Sequence, residues 1–145
     1  MKKIAALLAF MVVPILSFSQ SDEILGTWLN EKKDSKITVY TENGKYYGKV
    51  IWLKNNVNED GTSPKLDIQN EIEAEKKLPI EGKVILKDLS WDSDDKEWQD
   101  GTIYDPRGGS VYSCFGRMEA KDQLYLKGYI GFSLIGRSTI WTRVK

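Results

Sequence analysis

The sequence predicts an all-β protein in which about eight antiparallel strands close into a single up-and-down barrel. Short segments of alternating apolar and polar residues recur along the chain, and residues that favour turns separate them at regular spacing. The Asn43-Gly44 pair between two such segments is a strong hairpin signal, because both residues tolerate a positive φ. No segment has the period of a long amphipathic helix.

The predicted strands can be placed in chain order. The first surrounds Trp28, and the others lie at 36–41, 45–53, 82–91, 97–104, 110–120, 123–131 and 138–144. Residues 54–77 form the one long irregular stretch, and their Asn, Asp, Gly, Ser and Pro content predicts a solvated loop. Within this stretch, residues 68–77 are expected to form a short polar helix or a lid over one mouth of the barrel.

The first residues of the chain predict export. Two lysines precede an apolar run over residues 4–16, and serines follow at the two positions that signal peptidase reads, the second being Ser19. We expect cleavage after Ser19, which divides the chain into a signal peptide, 1–19, and a single domain, 20–145. The apolar run is shorter than the roughly 20 residues that a spanning helix needs, so we expect no membrane span. The predicted location is periplasmic or secreted.

Charge and composition exclude several classes of function. The chain has 21 basic and 21 acidic residues, and loss of the two lysines in the predicted signal peptide leaves the mature domain slightly acidic. This balance provides no basic field for nucleic acid or for an anionic membrane. The absence of histidine excludes a Ser-His-Asp triad and a zinc site built on imidazole. Cys114 is the only cysteine, so no intrachain disulfide forms, and we expect a buried apolar residue rather than a reactive thiol.

Asp105, with Asp67 as its partner, is the strongest candidate for acid–base chemistry. A pair of carboxyl groups hydrolyses a glycosidic bond when their separation is suitable. The position of Asp105 before Pro106 favours a different role, in which its side chain caps the turn at 106–109. The spacing from Asn56 to Asp67 has part of a calcium-loop pattern but lacks its first Asp and its final Glu. We therefore predict a protein that is not an enzyme and has no metal site and no cofactor.

Residues at the two ends of the mature domain predict how the barrel closes. Gly26-x-Trp28 opens the series of strands, and Arg143 lies on the last one. This combination is typical of small barrels of the lipocalin, or calycin, type, in which the arginine lies over the indole and seals one end by a cation–π contact. We expect Gly26, Trp28 and Arg143 to close the barrel in this way.

The stretch from Gly26 to Val144 resembles the exported bacterial family of domains of unknown function numbered 2147, which is described as lipocalin-like. The matching segments are Gly26-x-Trp28, Gly48-Lys49-Val50-Ile51-Trp52-Leu53, Asp67-x-x-Asn70, Leu78-Pro79-Ile80-x-Gly82, Trp98-x-x-Gly101-x-Ile103-Tyr104-Asp105-Pro106-x-x-Gly109, Gly128-Tyr129-Ile130-Gly131 and Gly136-Arg137-x-x-x-Trp141-Thr142-Arg143-Val144. The chain departs from the family at residues 70–72 and 76–80, where the family usually has Asn-Pro-Asp and Leu-Arg-x-Arg-Pro-Leu. The resemblance implies a lipocalin-like fold and no established activity.

Two functions are compatible with such a barrel. The first is a carrier that binds a small apolar or amphipathic molecule in the periplasm, because pockets of this kind are mostly apolar with a few placed polar groups. Its predicted ligand-binding residues are Tyr46, Trp52, Tyr104, Tyr112, Tyr129, Arg137 and Trp141. Arg137 or Lys49 would then meet a carboxylate head group. The alternative is a filled barrel that supports an envelope assembly through an exposed aromatic surface.

The residue pattern leaves both functions open. A slip of one residue in register sends every side chain of a strand to the other face, so the sequence does not fix which aromatic residues point inward. Arg137 and Arg143 are an even number of residues apart, so a regular strand places them on the same face.

Overall fold

A computed structural model describes residue 14, residues 19–132 and residues 135–145. Nearly all of the predicted signal peptide, 1–19, lies outside these residues, and so do Ser133 and Leu134. No helix of the described part is long and apolar enough to cross a membrane.

The strands of the described residues form one closed antiparallel barrel of eight, as predicted. In chain order they are β1 (Gly26–Leu29), β2 (Ser35–Glu42), β3 (Lys45–Leu53), β4 (Val84–Asp92), β5 (Glu97–Asp105), β6 (Ser110–Ala120), β7 (Gln123–Tyr129) and β8 (Gly136–Arg143). Each strand pairs with the next, and β8 returns to pair with β1. The helical segments of the described part are two single 3-10 turns, Gln20–Asp22 and Glu75–Lys77.

Because consecutive strands are antiparallel, their connections alternate between the two ends of the barrel. The lower end holds the first 3-10 turn and the connections at 43–44, 93–96 and 121–122. The upper end holds the connections at 30–34, 54–83, 106–109 and 130–135. Asn43 and Gly44 have φ angles of 50° and 76°, so the predicted hairpin turn is present.

The contact expected from the sequence is present at the lower end. The guanidinium carbon of Arg143 lies 4.3 Å from the centroid of the Trp28 ring. The same guanidinium donates hydrogen bonds to the backbone carbonyls of Leu25, at 2.8 Å, and Glu23. Trp28 is fully buried, and its indole N–H donates to the carbonyl of Ile24 at 2.8 Å. The segment before β1 is thereby fastened across the lower end.

Side chains fill the lower and middle parts of the barrel. The fully buried aliphatic residues on the inward faces of the strands include Ile37, Leu86, Leu89, Leu124 and Leu126. Two glycines make room for these leucines, because a Cβ added at Gly101 would lie 2.6 Å from Leu89 and one at Gly116 would lie 2.7 Å from Leu126. Cys114 is buried among them, as predicted, and burial raises the pKa of its thiol to about 12.

Residues 65–83, called the strap below, cover part of the outer wall. Leu86 of β4 pairs with Ile103 of β5 on the inward face. Their neighbours Ile85 and Tyr104 must then point outward, since successive side chains of a strand alternate. Both are nevertheless buried. The strap therefore extends the buried core to the outside of β4 and β5.

The prediction of a short polar helix over 68–77 is largely wrong. Only Glu75–Lys77 form a 3-10 turn. Leu66 and Pro79 form an antiparallel β-bridge, and the Asp67 N–H donates to the carbonyl of Leu78 at 3.0 Å. The two halves of the strap therefore run against each other, which uses backbone groups that a helix would need.

We expect Trp28→Ala to lower the free energy of unfolding by about 3–5 kcal/mol, because truncation of a buried aromatic residue leaves a cavity. Urea unfolding followed by circular dichroism measures this loss. Trp52→Ala is the matched control, since Trp52 is 37% exposed, and its cost should stay below about 1 kcal/mol. A loss for Trp28→Ala as small as that of the control would contradict a closing role.

Candidate functional site

The inward-facing residues near the upper end are partly open to solvent. Arg137 of β8 lies opposite Gly128 of β7. A Cβ added at Gly128 would lie 3.1 Å from Ile103 and 3.4 Å from Tyr112, so these two side chains pack against Gly128 on the inward face. Ile103 and Tyr112 are half-buried, and Arg137 is exposed. These four residues are called the upper opening below.

Arg137 brings a cation to the inward face of β8. It shares this face with buried Trp141 and with Arg143, as the even spacing predicts. In the described part of the chain, no carboxylate forms an ion pair with Arg137. Lys49, the other predicted partner of a carboxylate, is exposed on the outer face of β3. A guanidinium beside apolar groups suits a planar anion, which it binds through two parallel hydrogen bonds.

Four of the seven predicted ligand-binding residues point into the barrel. Tyr112 and Arg137 belong to the upper opening. Tyr46 and Trp141 lie in the filled part, where only 6% and 4% of each is exposed. Tyr46 packs edge-on against Trp98, with the ring centroids 6.3 Å apart. Packing against neighbouring side chains is thus the observed environment of Tyr46 and Trp141.

The predicted interior placement of Trp52 is wrong because β3 contains a β-bulge. Ile37 of β2 pairs with Val50. The next pair is Lys36 with Trp52, which leaves Ile51 as an extra residue. The extra residue reverses the alternation of side chains beyond Val50. Trp52 therefore lies on the outer face, where the Lys36 ammonium is 5.1 Å from the centroid of its ring.

Tyr104 and Tyr129 also point away from the interior, contrary to the prediction that they line it. Each directly follows an inward-facing residue of its strand, Ile103 or Gly128. Tyr104 is buried because the strap covers it. Tyr129 packs beside Phe115 on the outer face, with the ring centroids 6.2 Å apart.

A buried ionic network, which the residue pattern did not predict, holds the strap to the outer wall. Asp67 is fully buried. Its carboxylate accepts hydrogen bonds from the Tyr104 hydroxyl at 2.7 Å and from the Asn70 amide at 2.8 Å. The Lys83 ammonium lies 3.0 Å from Asp67 and 2.6 Å from the Glu75 carboxylate. These partners offset the cost of burying the charge of Asp67.

The network shifts the pKa of two of its members. Burial tends to lower the pKa of Lys83, but its hydrogen bonds to Glu75 and Asp67 outweigh burial, and the pKa is raised. The pKa of Tyr104 is raised by burial and by the hydrogen bond to Asp67. Lys83 is thus held charged and Tyr104 neutral, which prepares neither of them to act as a base.

An open groove of about 720 Å³ lies between the strap and the outer wall. Its apolar lining includes Ile72, Leu78 and Val111. Its volume falls within the range of about 300–1,000 Å³ that is usual for small-molecule sites. Of the charged groups that line it, Lys83 and Glu75 are paired with each other, whereas Glu71, Glu81 and Lys87 form no ion pair among the described residues. The upper opening differs in that its cation, Arg137, lies on the inward face of the barrel.

Asp105 caps the turn after β5, as predicted. Its carboxylate accepts from the Arg107 backbone N–H at 3.0 Å, and its carbonyl accepts from the Gly109 N–H at 2.8 Å. Burial tends to raise the pKa of Asp105, but hydrogen bonds from Arg107 outweigh burial, and the pKa is lowered. Asp67 is engaged in the strap network. Both carboxylates considered for acid–base chemistry therefore have structural partners.

The partial calcium-loop pattern folds as hydrogen-bonded turns. The side-chain oxygen of Asn58 accepts from the Leu66 N–H at 2.8 Å, and that of Asp60 accepts from the Thr62 N–H at 3.0 Å. The described residues contain no group of three or more side chains suited to hold a metal ion.

A family profile described as "Uncharacterized protein conserved in bacteria (DUF2147)" matches residues 26–143. The chain belongs to this family. The match runs from the first residue of β1 to the last residue of β8, and it confirms the resemblance found in the sequence. No curated protein matches the chain.

Among solved structures, this DUF2147 chain is similar to protein HP1028 from the human pathogen Helicobacter pylori, which is described as belonging to the lipocalin family. The two chains share 20% sequence identity and superimpose with a TM-score of 0.71, over 84% of this chain and 83% of the other. At this level of identity the likeness shows the fold, which is a closed barrel of the lipocalin type.

Several of the segments that resemble DUF2147 meet at the strap. Asp67 and Asn70 come from one segment and bind each other. Tyr104 and Gly109 come from another, and a Cβ added at Gly109 would lie 1.8 Å from the carbonyl oxygen of Gln69 in the strap. In this DUF2147 chain, these segments therefore fix the strap to the barrel.

Asp105→Ala should lower the free energy of unfolding by about 1 kcal/mol, because it removes a side-chain hydrogen bond to the backbone of the turn. Asp94→Ala, in an exposed turn of the lower end, is the control. Thermal melts of the two variants and the unaltered protein make the comparison. If Asp105→Ala and Asp94→Ala melt at the same temperature, Asp105 does not stabilise its turn.

Lys83→Met should lower the free energy of unfolding by about 3 kcal/mol, because it leaves the buried charge of Asp67 without its cation. Lys87→Met, at an exposed position of β4, is the matched control. Adding Asp67→Asn to Lys83→Met should recover part of the loss, which chemical unfolding of the four proteins would measure as a coupling energy. Strictly additive losses would show that the two side chains are not coupled.

Proposed function

We propose that the mature protein is an exported, non-catalytic carrier that binds a small amphipathic molecule with an acidic group at the upper opening. The observation that supports this proposal best is the position of Arg137. Its exposed guanidinium lies on an inward face, beside half-buried Ile103 and Tyr112. A barrel of eight strands is wide enough to hold one small ligand.

The apolar part of the ligand would contact Ile103 and Tyr112. Gly128 lies opposite Arg137, and Ile103 and Tyr112 pack against it, so their apolar surface lies beside the strand that carries the guanidinium. Below this level the interior is occupied by buried side chains such as Trp141. The ligand is therefore expected to enter only the upper part of the barrel, with the rest of any longer apolar chain outside it.

The acidic group of the ligand would meet Arg137. A guanidinium binds a carboxylate by two parallel hydrogen bonds, and such charge-assisted bonds are stronger than bonds between neutral groups. Because Arg137 is exposed, binding would not require a charge to be buried first.

The chain offers little that could support catalysis. It contains no histidine. Asp67 and Asp105 are engaged in structural hydrogen bonds. The network around Asp67 keeps Lys83 charged and Tyr104 neutral, which are their unreactive protonation states. Export to the periplasm or beyond is supported by the signal-peptide pattern that ends at Ser19.

Isothermal titration with dodecanoate, a carboxylate with an apolar chain, tests the proposed site. Arg137→Gln should weaken dodecanoate binding by about tenfold or more, because it removes a charge-assisted hydrogen bond. Binding of dodecanol, which has no charge, should be nearly unchanged. Lys127→Gln is the matched control, because Lys127 lies on the outer face of the neighbouring strand β7. Tyr112→Ala should weaken the binding of both molecules.

Native mass spectrometry of the protein exported to a bacterial periplasm tests for a natural ligand. An added mass that disappears on denaturation and is recovered in an organic extract would support the carrier. A bare polypeptide mass, together with no binding of dodecanoate or dodecanol, would contradict it. That outcome would favour the alternative of a filled barrel that acts through its surface.

A further inference from the structure

Four of the exposed large apolar side chains near the upper end lie in or beside the connection between β7 and β8. They are Val111, Ile130, Phe132 and Ile135, and between 62% and 76% of each is exposed. The last three lie in the connection between β7 and β8, where the Ile135 N–H donates to the carbonyl of Phe132 at 3.0 Å. Val111 lies near the start of the adjacent strand β6. We call these four residues the apolar tip. Exposed apolar residues grouped in this way mark interaction sites.

The lower end differs from the upper end. Within the described residues, its connections at 43–44, 93–96 and 121–122 expose no large apolar side chain. Three of the four residues at 92–95 are aspartates. The exposed large apolar side chains of the described residues therefore lie toward the upper end of the barrel.

Charge is also unevenly distributed along the chain. Residues 106–118 and 123–145, which include β7, β8 and most of β6, contain no Asp or Glu. They contain the basic residues Arg107, Arg117, Lys127, Arg137, Arg143 and Lys145. Arg107 is paired with Asp105, whereas Arg137, next to the apolar tip in the sequence, has no ion-pair partner among the described residues. Arg117 is paired with Glu97 and Glu119, and Arg143 and Lys145 lie at the lower end. Arg137 and Lys127 are therefore the basic residues of these stretches that lie near the tip without an ion-pair partner among the described residues.

We propose that the apolar tip docks on an anionic lipid surface. The side chains of the tip would enter the boundary between the headgroups and the acyl chains. Arg137 and Lys127, which flank the tip in the sequence, would then face the lipid phosphates. This docking is distinct from ligand binding in solution, and it does not require that the upper opening bind a carboxylate.

The small size of the tip favours a lipid surface over a second protein. A stable protein interface typically buries about 800 Å² on each partner and involves about 20–30 residues a side. Four residues at one end of a barrel provide much less. Shallow insertion at a membrane surface needs only a few apolar side chains combined with attraction to anionic lipids.

An environment-sensitive fluorophore attached at Ile135→Cys would report on the tip and leave Ile130 and Phe132 intact. Cys114 is buried and its thiol pKa is raised, so the folded protein should be labelled only at the new thiol. The same label at Ser93→Cys, in an exposed turn of the lower end, is the matched control. Each labelled protein is mixed with vesicles of phosphatidylcholine alone and with vesicles of equimolar phosphatidylcholine and phosphatidylglycerol.

Docking predicts a blue shift of the label at position 135 with the phosphatidylglycerol vesicles, a smaller shift with phosphatidylcholine alone, and no shift at position 93. Ile130→Ser combined with Phe132→Ser should weaken vesicle binding by about tenfold or more, with unchanged dodecanoate titration in the absence of vesicles. Because that titration measures ligand binding alone, it distinguishes a failure of the carrier proposal from a failure of the docking proposal.

Three results would overturn the docking proposal. The first is no shift at position 135 with either kind of vesicle. The second is an equal shift at positions 135 and 93, which would indicate adsorption without orientation. The third is a shift at position 135 that depends on protein concentration without vesicles, which would assign the tip to a second copy of the chain.

Discussion

The barrel closes across a short seam between β1 and β8. Only two residue pairs are in register there, Trp28 with Arg143 and Leu29 with Thr142, whereas β7 and β8 share seven. The backbone ladder is therefore least extensive where the ring must close. The Arg143 guanidinium adds three contacts at this point, to the Trp28 indole and to the backbone carbonyls of Leu25 and Glu23. Without this seam the eight strands would form an open sheet with β1 and β8 as its edges.

Packing in the lower and middle parts of the barrel also determines where a ligand can bind. Leu89 and Leu126 occupy the space that Gly101 and Gly116 leave, so the middle of the barrel is solid. Such close packing makes the interior intolerant of added volume. Polar groups that are free to meet a ligand are therefore found at the upper end, where Arg137 is exposed.

The strands could be predicted from the sequence because their signals are local. Alternation of side chains and turn formers such as Asn43-Gly44 depend on a few neighbouring residues. The contact between Trp28 and Arg143 could be predicted as well, because both residues belong to a pattern at the two ends of the domain. The direction of Trp52 could not, since a single extra residue, Ile51, reverses the face without leaving a signal in composition.

The ionic network of the strap could not be predicted from local sequence patterns, for a different reason. Asp67 stands in a polar loop, where an aspartate is ordinarily solvated, and its partner Tyr104 is 37 residues away. Tyr104 is buried on the outer wall because the strap covers it. The alternation of side chains along a strand predicts only which face a residue lies on, so it gives no sign of this cover. The one indication in the sequence was the segment Asp67-x-x-Asn70, which matches the family. It singles out these two residues but does not indicate which side chains they contact.

The shortness of β1 has a consequence for association between copies of the chain. Because β1 pairs only with Thr142 and Arg143, the upper part of β8 lies beyond the reach of its ladder. A strand edge of this kind is a template for pairing with another chain, and an inward-pointing charge is one of the devices that prevent such pairing. Arg137 occupies that position, whatever it binds. Its replacement by a neutral residue therefore removes a safeguard against edge-to-edge aggregation.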